Sequence, residues 1–445
     1  MRFQTENYEP LAGRVPAWEF QPLYLSGLRA GQTVTVQSSL ETPTGPWLAV
    51  QTFETGNAGV VELGAGVDIL DPGWMWWSVA PMPPAGGLSR AAIEAGYELA
   101  PQIGPLDALH YTLTAETDNG ERIETTCIRE RLPQTVTVAE VSEGRLRGKY
   151  FAPTNGDPVA SVLVLGGSEG GITEGRAAAL AAEGFGALAL AYFGYADLPK
   201  HAESISLELF HDGVCWLRAR TNGGKCAVWG GSRGSEAALM TAAIWPDEIA
   251  AIIGWVPTHL LHAGFDMSGG EDFSLSHRSM WTLHGDPLPA GHKLALSEDL
   301  LAARRSGYSE PPGHQYSNEY LAAWRSVPLG DECEIPVERI TAPILLISAE
   351  DDQLWPSTYG SDRLIERLHR FGKKEQARHV VLPNCGHAIG MPNEPRPHSN
   401  TAFWTDGYSG VDGGFIDNGG SPETNAAGAR QGWAEALAFL KSTLA

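Results

Sequence analysis

The first feature of this sequence that could act as a catalytic group is a serine flanked by glycines. Gly230-Gly231-Ser232-Arg233-Gly234 fits Gly-x-Ser-x-Gly, an apolar run, Ala227-Val228-Trp229, precedes it, and a helical stretch follows it. Such a strand-to-helix turn forces its serine into a strained backbone state and leaves no room for side chains two residues to either side. It also lifts the hydroxyl clear of the sheet at a helix N-terminus, which favours developing negative charge. Ser232 is therefore the predicted nucleophile, and Gly230 and Gly234 complete the predicted nucleophile elbow.

A histidine and an acidic loop further along the chain could complete a proton relay with that serine. His387 closes Asn384-Cys385-Gly386-His387, directly after a predicted strand. The chain order nucleophile, acid, histidine is one of the orders found in Ser-His-Asp triads. The acid holds the imidazole in the required tautomer and stabilises the imidazolium. Among the carboxylates of Glu350-Asp351-Asp352, which follow another predicted strand, we assign Asp352 and keep Asp351 as the alternative.

A glycine-rich loop after the predicted strand at 159–165 supplies the third part of such a site. It reads Gly166-Gly167-Ser168-Glu169-Gly170-Gly171, and its small residues let the backbone approach a substrate carbonyl. In hydrolases with this elbow, one oxyanion-hole amide comes from this loop and the other from the residue after the nucleophile. We therefore predict oxyanion-binding amides near Ser168 and at Arg233. A phosphate-binding loop is the alternative, but the run contains no Gly-Lys-Ser/Thr and no dinucleotide-binding spacing.

Other conspicuous residues are predicted to be structural. His259 and His262 are three positions apart and could share one face of a helix, but no third ligand is evident in the sequence, so no metal site is predicted. No cofactor is implied by any motif. The run Trp74-Met75-Trp76-Trp77 is predicted to belong to a core or an interface rather than to a ligand platform.

The elements that must position these residues change character near residue 132. Before it, short alternating runs such as 33–37 and 109–114, separated by Gly, Pro and Asn turns, predict an antiparallel, immunoglobulin-like β-sandwich. After it, apolar strands alternate with helical stretches, which predicts a doubly wound, mostly parallel sheet. The expected fold is a β-sandwich domain over residues 1–131 followed by an α/β-hydrolase domain over 132–445. Residues 262–335 interrupt the alternation and are predicted to form a cap insertion.

Composition limits the classes of function. The 445 residues carry a formal charge of −22 and are 43% hydrophobic, which supports a large core but disfavours nucleic acid and anionic membranes as partners. The N-terminal residues lack the apolar core of a signal peptide, and no apolar stretch reaches the roughly 18 residues of a membrane span. The five cysteines form no Cys-x-x-Cys pair, so a disulfide framework is not expected and a cytoplasmic location is predicted. A homo-oligomer is left open.

Longer segments, spread in order over nearly the whole chain, are far more specific than the elbow alone. They are 28–36, 73–78, 143–148, 170–176, 184–193, 197–199, 335–340, Asp351-Asp352 with Trp355, Gly386-His387, Trp433 and Phe439. In these segments the sequence resembles the family of acyl-CoA thioesterases and bile acid-CoA:amino acid N-acyltransferases.

The resemblance implies a function and assigns roles to the matching positions. It makes Ser232 the nucleophile, Asp352 the acid and His387 the base, with an acyl-enzyme intermediate and a small-molecule acyl substrate, first of all an acyl-CoA. The N-acyltransferase branch uses a cysteine as its nucleophile, so the serine here favours hydrolysis. Hydrolysis of a non-CoA ester or amide, and acyl transfer to an amino acid, are the alternatives. A binding protein on a hydrolase scaffold is disfavoured by the complete set of triad candidates.

Overall fold

The computed structural model describes most of the chain, and contacts divide it into two compact units. The described residues are 1–5, 11, 13–63, 74–81, 86, 89–221, 224–265, 279–290, 313–395, 401–404 and 414–445. The first unit consists of Met1–Pro133, Ala388–Asn400 and Ser421–Trp433, and the second of Gln134–His387, Thr401–Gly420 and Ala434–Ala445. The first unit thus includes two segments from the part of the chain that the sequence assigns to the catalytic domain.

Two sheets and two short helices make up the described part of the first unit outside its C-terminal segments. Its elements are β1 (Arg2–Thr5), β2 (Arg14–Pro16), β3 (Leu23–Ser26), β4 (Thr33–Leu40), β5 (Trp47–Glu54), β6 (Val60–Leu63), α1 (Trp74–Trp77), α2 (Arg90–Glu94), β7 (Leu109–Thr117) and β8 (Arg122–Glu130). One sheet has the strand order β2-β8-β7-β4-β5 and the other β1-β3-β6. Side chains of both sheets pack into one core, which is the arrangement of a β-sandwich.

Alternation along the strands explains how this core forms. In β4, Val34, Val36, Ser38 and Leu40 are buried while the residues between them are not, as the two-residue period of a strand requires. All four residues of Trp74–Trp77 are buried in the same core, which confirms their predicted structural role.

The second unit is built from strands and helices in alternation. Its strands are β9 (Val136–Glu143), β10 (Leu146–Pro153), β11 (Ser161–Leu165), β12 (Gly186–Ala191), β13 (Ile205–Ser206), β14 (Cys226–Gly231), β15 (Ala251–Trp255), β16 (Trp281–Leu283), β17 (Asp286–Pro287), β18 (Ile344–Ala349), β19 (Ala377–Leu382), β20 (Thr401–Trp404) and β21 (Gly414–Asp417). Its helices are α3 (Glu174–Ala182), α4 (Glu208–Arg220), α5 (Arg233–Ile244), α6 (Ser317–Ser326), α7 (Ser357–Arg370) and the end of α8 (Pro422–Leu444). Among the described residues, no helix combines the length and apolar character needed to cross a membrane.

Eight of these strands form one sheet in the order β19-β18-β15-β14-β11-β12-β10-β9. The strands from β19 to β12 are parallel, whereas β10 is antiparallel to both of its neighbours. Every residue of β11, β12, β15 and β18 is buried, as expected for a parallel sheet covered on both faces. Because parallel strands end at one edge, the loops after β11, β14, β18 and β19 lie together. The predicted doubly wound sheet is thus confirmed.

Only part of the predicted cap insertion at 262–335 can be described. Residues 266–278 and 291–312 lie outside the described residues. The remaining parts contain β16, β17 and α6, and β16 pairs with β13 and β17 in a small separate sheet. The cap assignment itself stays a prediction.

Candidate active site

Ser232 lies on the sharp turn between β14 and α5. Its φ is 51° and its ψ is −121°, a strained conformation for a residue other than glycine. A Cβ added at Gly230 would lie 2.0 Å from the carbonyl oxygen of Gly234. A Cβ added at Gly234 would lie 2.2 Å from the carbonyl oxygen of Gly166. The elbow is therefore held by backbone approaches that only glycine permits.

The structure brings the three predicted triad residues into one hydrogen-bonded series. His387 Nε2 lies 3.0 Å from Ser232 Oγ, and His387 Nδ1 lies 2.9 Å from Asp352 Oδ2. The Asp352 side chain is 1% exposed and that of His387 is 10% exposed. The other oxygen of Asp352 accepts backbone N–H groups of Leu354 and Trp355 at 3.1 and 3.0 Å, which fixes the orientation of the carboxylate.

The three neighbouring carboxylates at 350–352 have different partners. Asp352 faces His387, whereas Asp351 accepts hydrogen bonds from the Gln353 side chain at 2.5 Å and from the Gly420 backbone at 2.8 Å. Glu350 accepts the backbone N–H of Asn384 at 2.9 Å. Asp351 and Glu350 therefore brace neighbouring loops.

The glycine-rich loop after β11 meets the elbow at Gly167. A Cβ added at Gly167 would lie 2.9 Å from the Cβ of Ser232. The hydroxyl of Tyr192 donates to the carbonyl oxygens of Gly166 and Gly167 at 2.8 and 3.0 Å, which holds the loop in place. Ser168, the predicted oxyanion residue, follows and is half-buried. Arg233, the other predicted residue, is the first residue of α5.

The Glu169 carboxylate accepts a hydrogen bond from one backbone amide of this loop. Its Oε1 accepts the backbone N–H of Gly167 at 2.8 Å. The side chain folds back over the loop, since a Cβ added at Gly166 or Gly167 would lie 2.8 Å from one of its carboxylate oxygens. A substrate oxygen that binds the Gly167 amide must therefore displace this carboxylate.

A fully buried carboxylate on α5 joins the elbow helix to the predicted cap insertion. Glu236, one turn after Ser232, accepts a hydrogen bond from Arg233 Nη1 at 3.1 Å. It accepts two more from the backbone N–H and Nδ1 of His262, each at 3.0 Å, and one from the Trp281 indole at 2.8 Å. These partners were not found from the sequence, because His262 and Trp281 lie 26 and 45 positions away in no local pattern.

The protonation states in this cluster follow from its hydrogen bonds. The Trp324 indole N–H donates to His262 Nε2 at 3.1 Å, so that nitrogen is unprotonated and Nδ1 carries the proton given to Glu236. Burial lowers the pKa of His262, which agrees with a neutral ring. Burial raises the pKa of Glu236, but the Arg233 guanidinium and the hydrogen bonds from His262 and Trp281 outweigh burial and lower it. Glu236 is therefore a carboxylate that matches the buried charge of Arg233.

The expectation that His259 and His262 share a helix face is wrong. Residues 259–262 are described and are not helical. Instead, Leu260 forms a β-bridge with Glu334 and the backbone N–H of Leu261 donates to the Cys333 carbonyl at 2.9 Å. The segment is extended because its backbone groups pair with residues far along the chain. Both ring nitrogens of His262 are engaged by side chains.

The arrangement defines an α/β-hydrolase. A doubly wound sheet carries a strained serine on the turn after a central strand, and an imidazole from the loop after the edge strand β19 lies 3.0 Å from its hydroxyl. The acid, the histidine and the serine all follow the carboxyl ends of parallel strands, where such folds place their chemistry.

Comparison with known proteins shows which family the chain is similar to. The family model described as "BAAT / Acyl-CoA thioester hydrolase C terminal" matches residues 314–445. Acyl-coenzyme A thioesterase 2, mitochondrial, and acyl-coenzyme A thioesterase 1, both from Mus musculus, are each 26% identical over 463 residues; both alignments cover 99% of this chain, and 89% and 97% of the respective relatives. The resemblance carried by the sequence motifs is thereby confirmed. Residues 314–445 thus match that family's C-terminal model, and nearly the whole chain is similar to acyl-CoA thioesterases.

A solved structure also matches this chain, at a lower sequence identity. The crystal structure of a dienelactone hydrolase-like promiscuous phosphotriesterase from metagenomic libraries matches with a TM-score of 0.37 and 16% identity, and the match covers 70% of this chain and 100% of that chain. The fold assignment rests on the strand order and the elbow rather than on this match.

The predicted cytoplasmic location stays a prediction.

Proposed function

We propose that this protein is a serine hydrolase that cleaves an acyl thioester, first of all an acyl-CoA, through an acyl-enzyme intermediate. The observation that carries the proposal is the hydrogen-bonded series from Asp352 through His387 to Ser232. The strained turn supports it, because such turns present a nucleophile to substrate. The substrate class is supported by the family, since the relatives are named acyl-coenzyme A thioesterases.

In the first half of the reaction, His387 takes the proton of Ser232 while the serine oxygen attacks the acyl carbonyl carbon. Asp352 stabilises the resulting imidazolium through its hydrogen bond to Nδ1. As the tetrahedral intermediate collapses, the carbon–sulfur bond breaks and His387 returns the proton to the departing thiolate. A water then gives a proton to His387 and attacks the acyl-enzyme. As the second tetrahedral intermediate collapses, His387 returns that proton to the Ser232 oxygen, which releases the acid and free Ser232.

The negative charge on the carbonyl oxygen is bound by backbone amides. The Arg233 amide lies at the N-terminus of α5, where the helix dipole adds to its effect. The second donor comes from the loop at Gly167 or Ser168. Glu169 accepts the Gly167 N–H at 2.8 Å, so a substrate oxygen bound by that amide replaces a carboxylate oxygen rather than water.

A simple ester or amide is the second candidate substrate. The formal charge of −22 is unfavourable for CoA, which carries several phosphate charges. Acyl transfer to an amino acid would use the same acyl-enzyme, with an amine in place of water in the second half-reaction.

A substrate panel tests the proposal. Acyl-CoAs of several chain lengths are compared with simple esters and amides of the same acyl groups, with Ser232→Ala as the control variant. We expect turnover of at least one acyl-CoA, and a loss of at least about 10⁴-fold in kcat for Ser232→Ala. Circular dichroism and the thermal midpoint show whether the variant is folded.

Other outcomes separate the alternatives. Serine-dependent turnover of esters or amides alone would reject the thioester. Conjugates formed in the presence of glycine or taurine would indicate acyl transfer. A folded Ser232→Ala variant with near-normal turnover would overturn the mechanism for every substrate.

A further inference from the structure

A second group of reactive side chains lies in the second unit, on α4 and in the segment between α5 and β15. His211 and Cys215 are four positions apart on α4, so they project from one face of the helix. Glu248 precedes β15 in the chain, and its side chain lies beside these two. One ligand atom from each of the three lies within 4.8 Å of the other two. None of these residues takes part in the proposed hydrolase chemistry.

Two of the three separations between these atoms are those found around a tetrahedral zinc ion, and the third is shorter. His211 Nε2 lies 3.0 Å from Glu248 Oε1 and 3.6 Å from Cys215 Sγ. Cys215 Sγ lies 3.5 Å from Glu248 Oε2. Zinc bonds of about 2.3 Å to sulfur and about 2.0–2.2 Å to nitrogen or oxygen, at tetrahedral angles, place ligand atoms about 3.3–3.7 Å apart. Small side-chain shifts would therefore let all three share one ion.

Neighbouring groups orient two of the three side chains. The His211 ring stacks on Trp245 with centroids 4.4 Å apart and planes at 12°, which directs Nε2 towards Glu248. Arg218 Nη1 lies 3.3 Å from Glu248 Oε2, which leaves Oε1 facing His211. Partners of this kind fix the orientation of metal ligands. Cys215 is exposed, so a fourth position opens to solvent.

We propose that His211, Cys215 and Glu248 bind one zinc ion, with water as the fourth ligand. Sulfur and imidazole nitrogen are softer donors than Mg²⁺ or Ca²⁺ prefer, whereas they suit zinc. The formal charge of −22 favours accumulation of cations near the surface. The sequence did not reveal this site, because Glu248 lies 33 positions from Cys215.

Binding requires the loss of one proton. Burial and the neighbouring Glu248 raise the pKa of the Cys215 thiol, so the metal-free thiol is protonated at neutral pH. Zinc displaces that proton to solvent and binds the thiolate, while His211 binds through its neutral ring and Glu248 through its carboxylate. Asp212 adds to the negative charge beside the thiol, although Arg145 pairs with it at 2.9 Å.

Cobalt(II) provides a direct test on the full-length protein, in a phosphine-reduced buffer free of dithiols. We expect one equivalent of Co²⁺ to give the visible bands of a tetrahedral ion and a near-ultraviolet thiolate-to-cobalt band, both removed by one equivalent of Zn²⁺. Cys215→Ser should abolish the near-ultraviolet band. Glu248→Gln and His211→Ala should weaken zinc binding by at least about 10–100-fold, the loss seen when even a supporting partner is removed.

Matched variants make the result decisive. His369→Ala removes an exposed histidine from α7 and should bind both metals as the wild type does. Ser232→Ala should also bind normally, so the readout is independent of the proposed hydrolase activity. An unchanged near-ultraviolet band in Cys215→Ser, or no stoichiometric binding by the wild type, would overturn the zinc site.

Discussion

Two carboxylate–imidazole pairs, one fully buried and the other largely buried, lie beside each other in the second unit. In the candidate catalytic pair, Asp352 and His387 are 2.9 Å apart. In the pair that we call the anchoring pair, Glu236 and His262 are 3.0 Å apart. The indole of Trp355 contacts both imidazoles, with ring centroids 5.5 Å from His387 and 5.6 Å from His262. The two pairs therefore share a wall and nearly the same geometry.

The difference lies at the second ring nitrogen. In the candidate catalytic pair it faces the Ser232 hydroxyl at 3.0 Å, from which it can take a proton. In the anchoring pair it accepts the Trp324 indole N–H at 3.1 Å, a group that is neither acidic at neutral pH nor nucleophilic. The group that contacts the second ring nitrogen thus decides whether a carboxylate–imidazole pair can transfer a proton or only stabilises the fold. Substitutions at each pair should therefore separate activity from stability.

The largest effect is expected at the candidate catalytic pair. Asp352→Asn should lower kcat by about 10⁴-fold, because the amide favours the wrong tautomer of His387 while leaving the packing intact. Steady-state kinetics with the best substrate of the panel measures the loss.

Asp351→Asn is the matched control, since Asp351 binds Gln353 and Gly420 rather than the imidazole. It should cost less than about tenfold, because no transition-state contact is lost. A reversal of the two losses would assign the triad acid to Asp351.

The next effect is expected at the anchoring pair, and in stability. Glu236→Gln should lower the free energy of unfolding by about 3–5 kcal/mol, because the Arg233 guanidinium loses its buried counter-charge. Chemical denaturation of the full chain measures this, and kcat is measured where the variant is still folded.

Glu366→Gln is the comparison variant, because Glu366 forms half-exposed ion pairs with Arg363 and Arg370 on α7. It should cost less than about 1 kcal/mol. Should Glu236→Gln instead keep its stability and lose as much kcat as Asp352→Asn, the anchoring role would be wrong.

The smallest effect concerns a third histidine, which packs against Trp324 and Tyr359. Burial, with a smaller contribution from the Arg363 charge, lowers the pKa of His259 to about 2. Below about pH 6.5 the unfolded chain binds a proton there that the folded protein does not. This part of the stability is therefore complete above about pH 6.5 and falls by up to about 1.4 kcal/mol per pH unit below it.

His259→Phe should remove that slope between about pH 6 and pH 4.5, as measured by denaturation at several pH values. His369→Phe, at an exposed position on α7, should leave the slope unchanged. Equal slopes for wild type and His259→Phe would mean that His259 is protonated in the folded protein.

The elbow and the sheet could be predicted because their signals are local. Apolar runs bounded by glycines gave the strands, and the glycines at 230 and 234 marked a turn whose close contacts the structure shows. The structure also brings Asp352 and His387 to Ser232. Their catalytic roles, and those of Ser168 and Arg233 as oxyanion donors, stay predictions.

The anchoring pair could not be predicted from the sequence. Its members come together across 26 positions, and Trp324 joins from 62 positions beyond His262. A spacing of three suggested a helix for His259 and His262, but pairing with distant backbone groups makes that segment extended. Long-range pairing of this kind produces no periodic pattern in the sequence.

The approach of Gly234 to the Gly166 carbonyl oxygen, where a Cβ would come within 2.2 Å, means that the position of residue 232 is set by main-chain atoms. The side chain at 232 contributes little to holding the turn. A cysteine there would present its sulfur in nearly the same direction as the serine presents its oxygen. Within such a scaffold, one atom of the nucleophile can be exchanged while the surrounding architecture is kept, so reactivity can diverge without redesign of the fold.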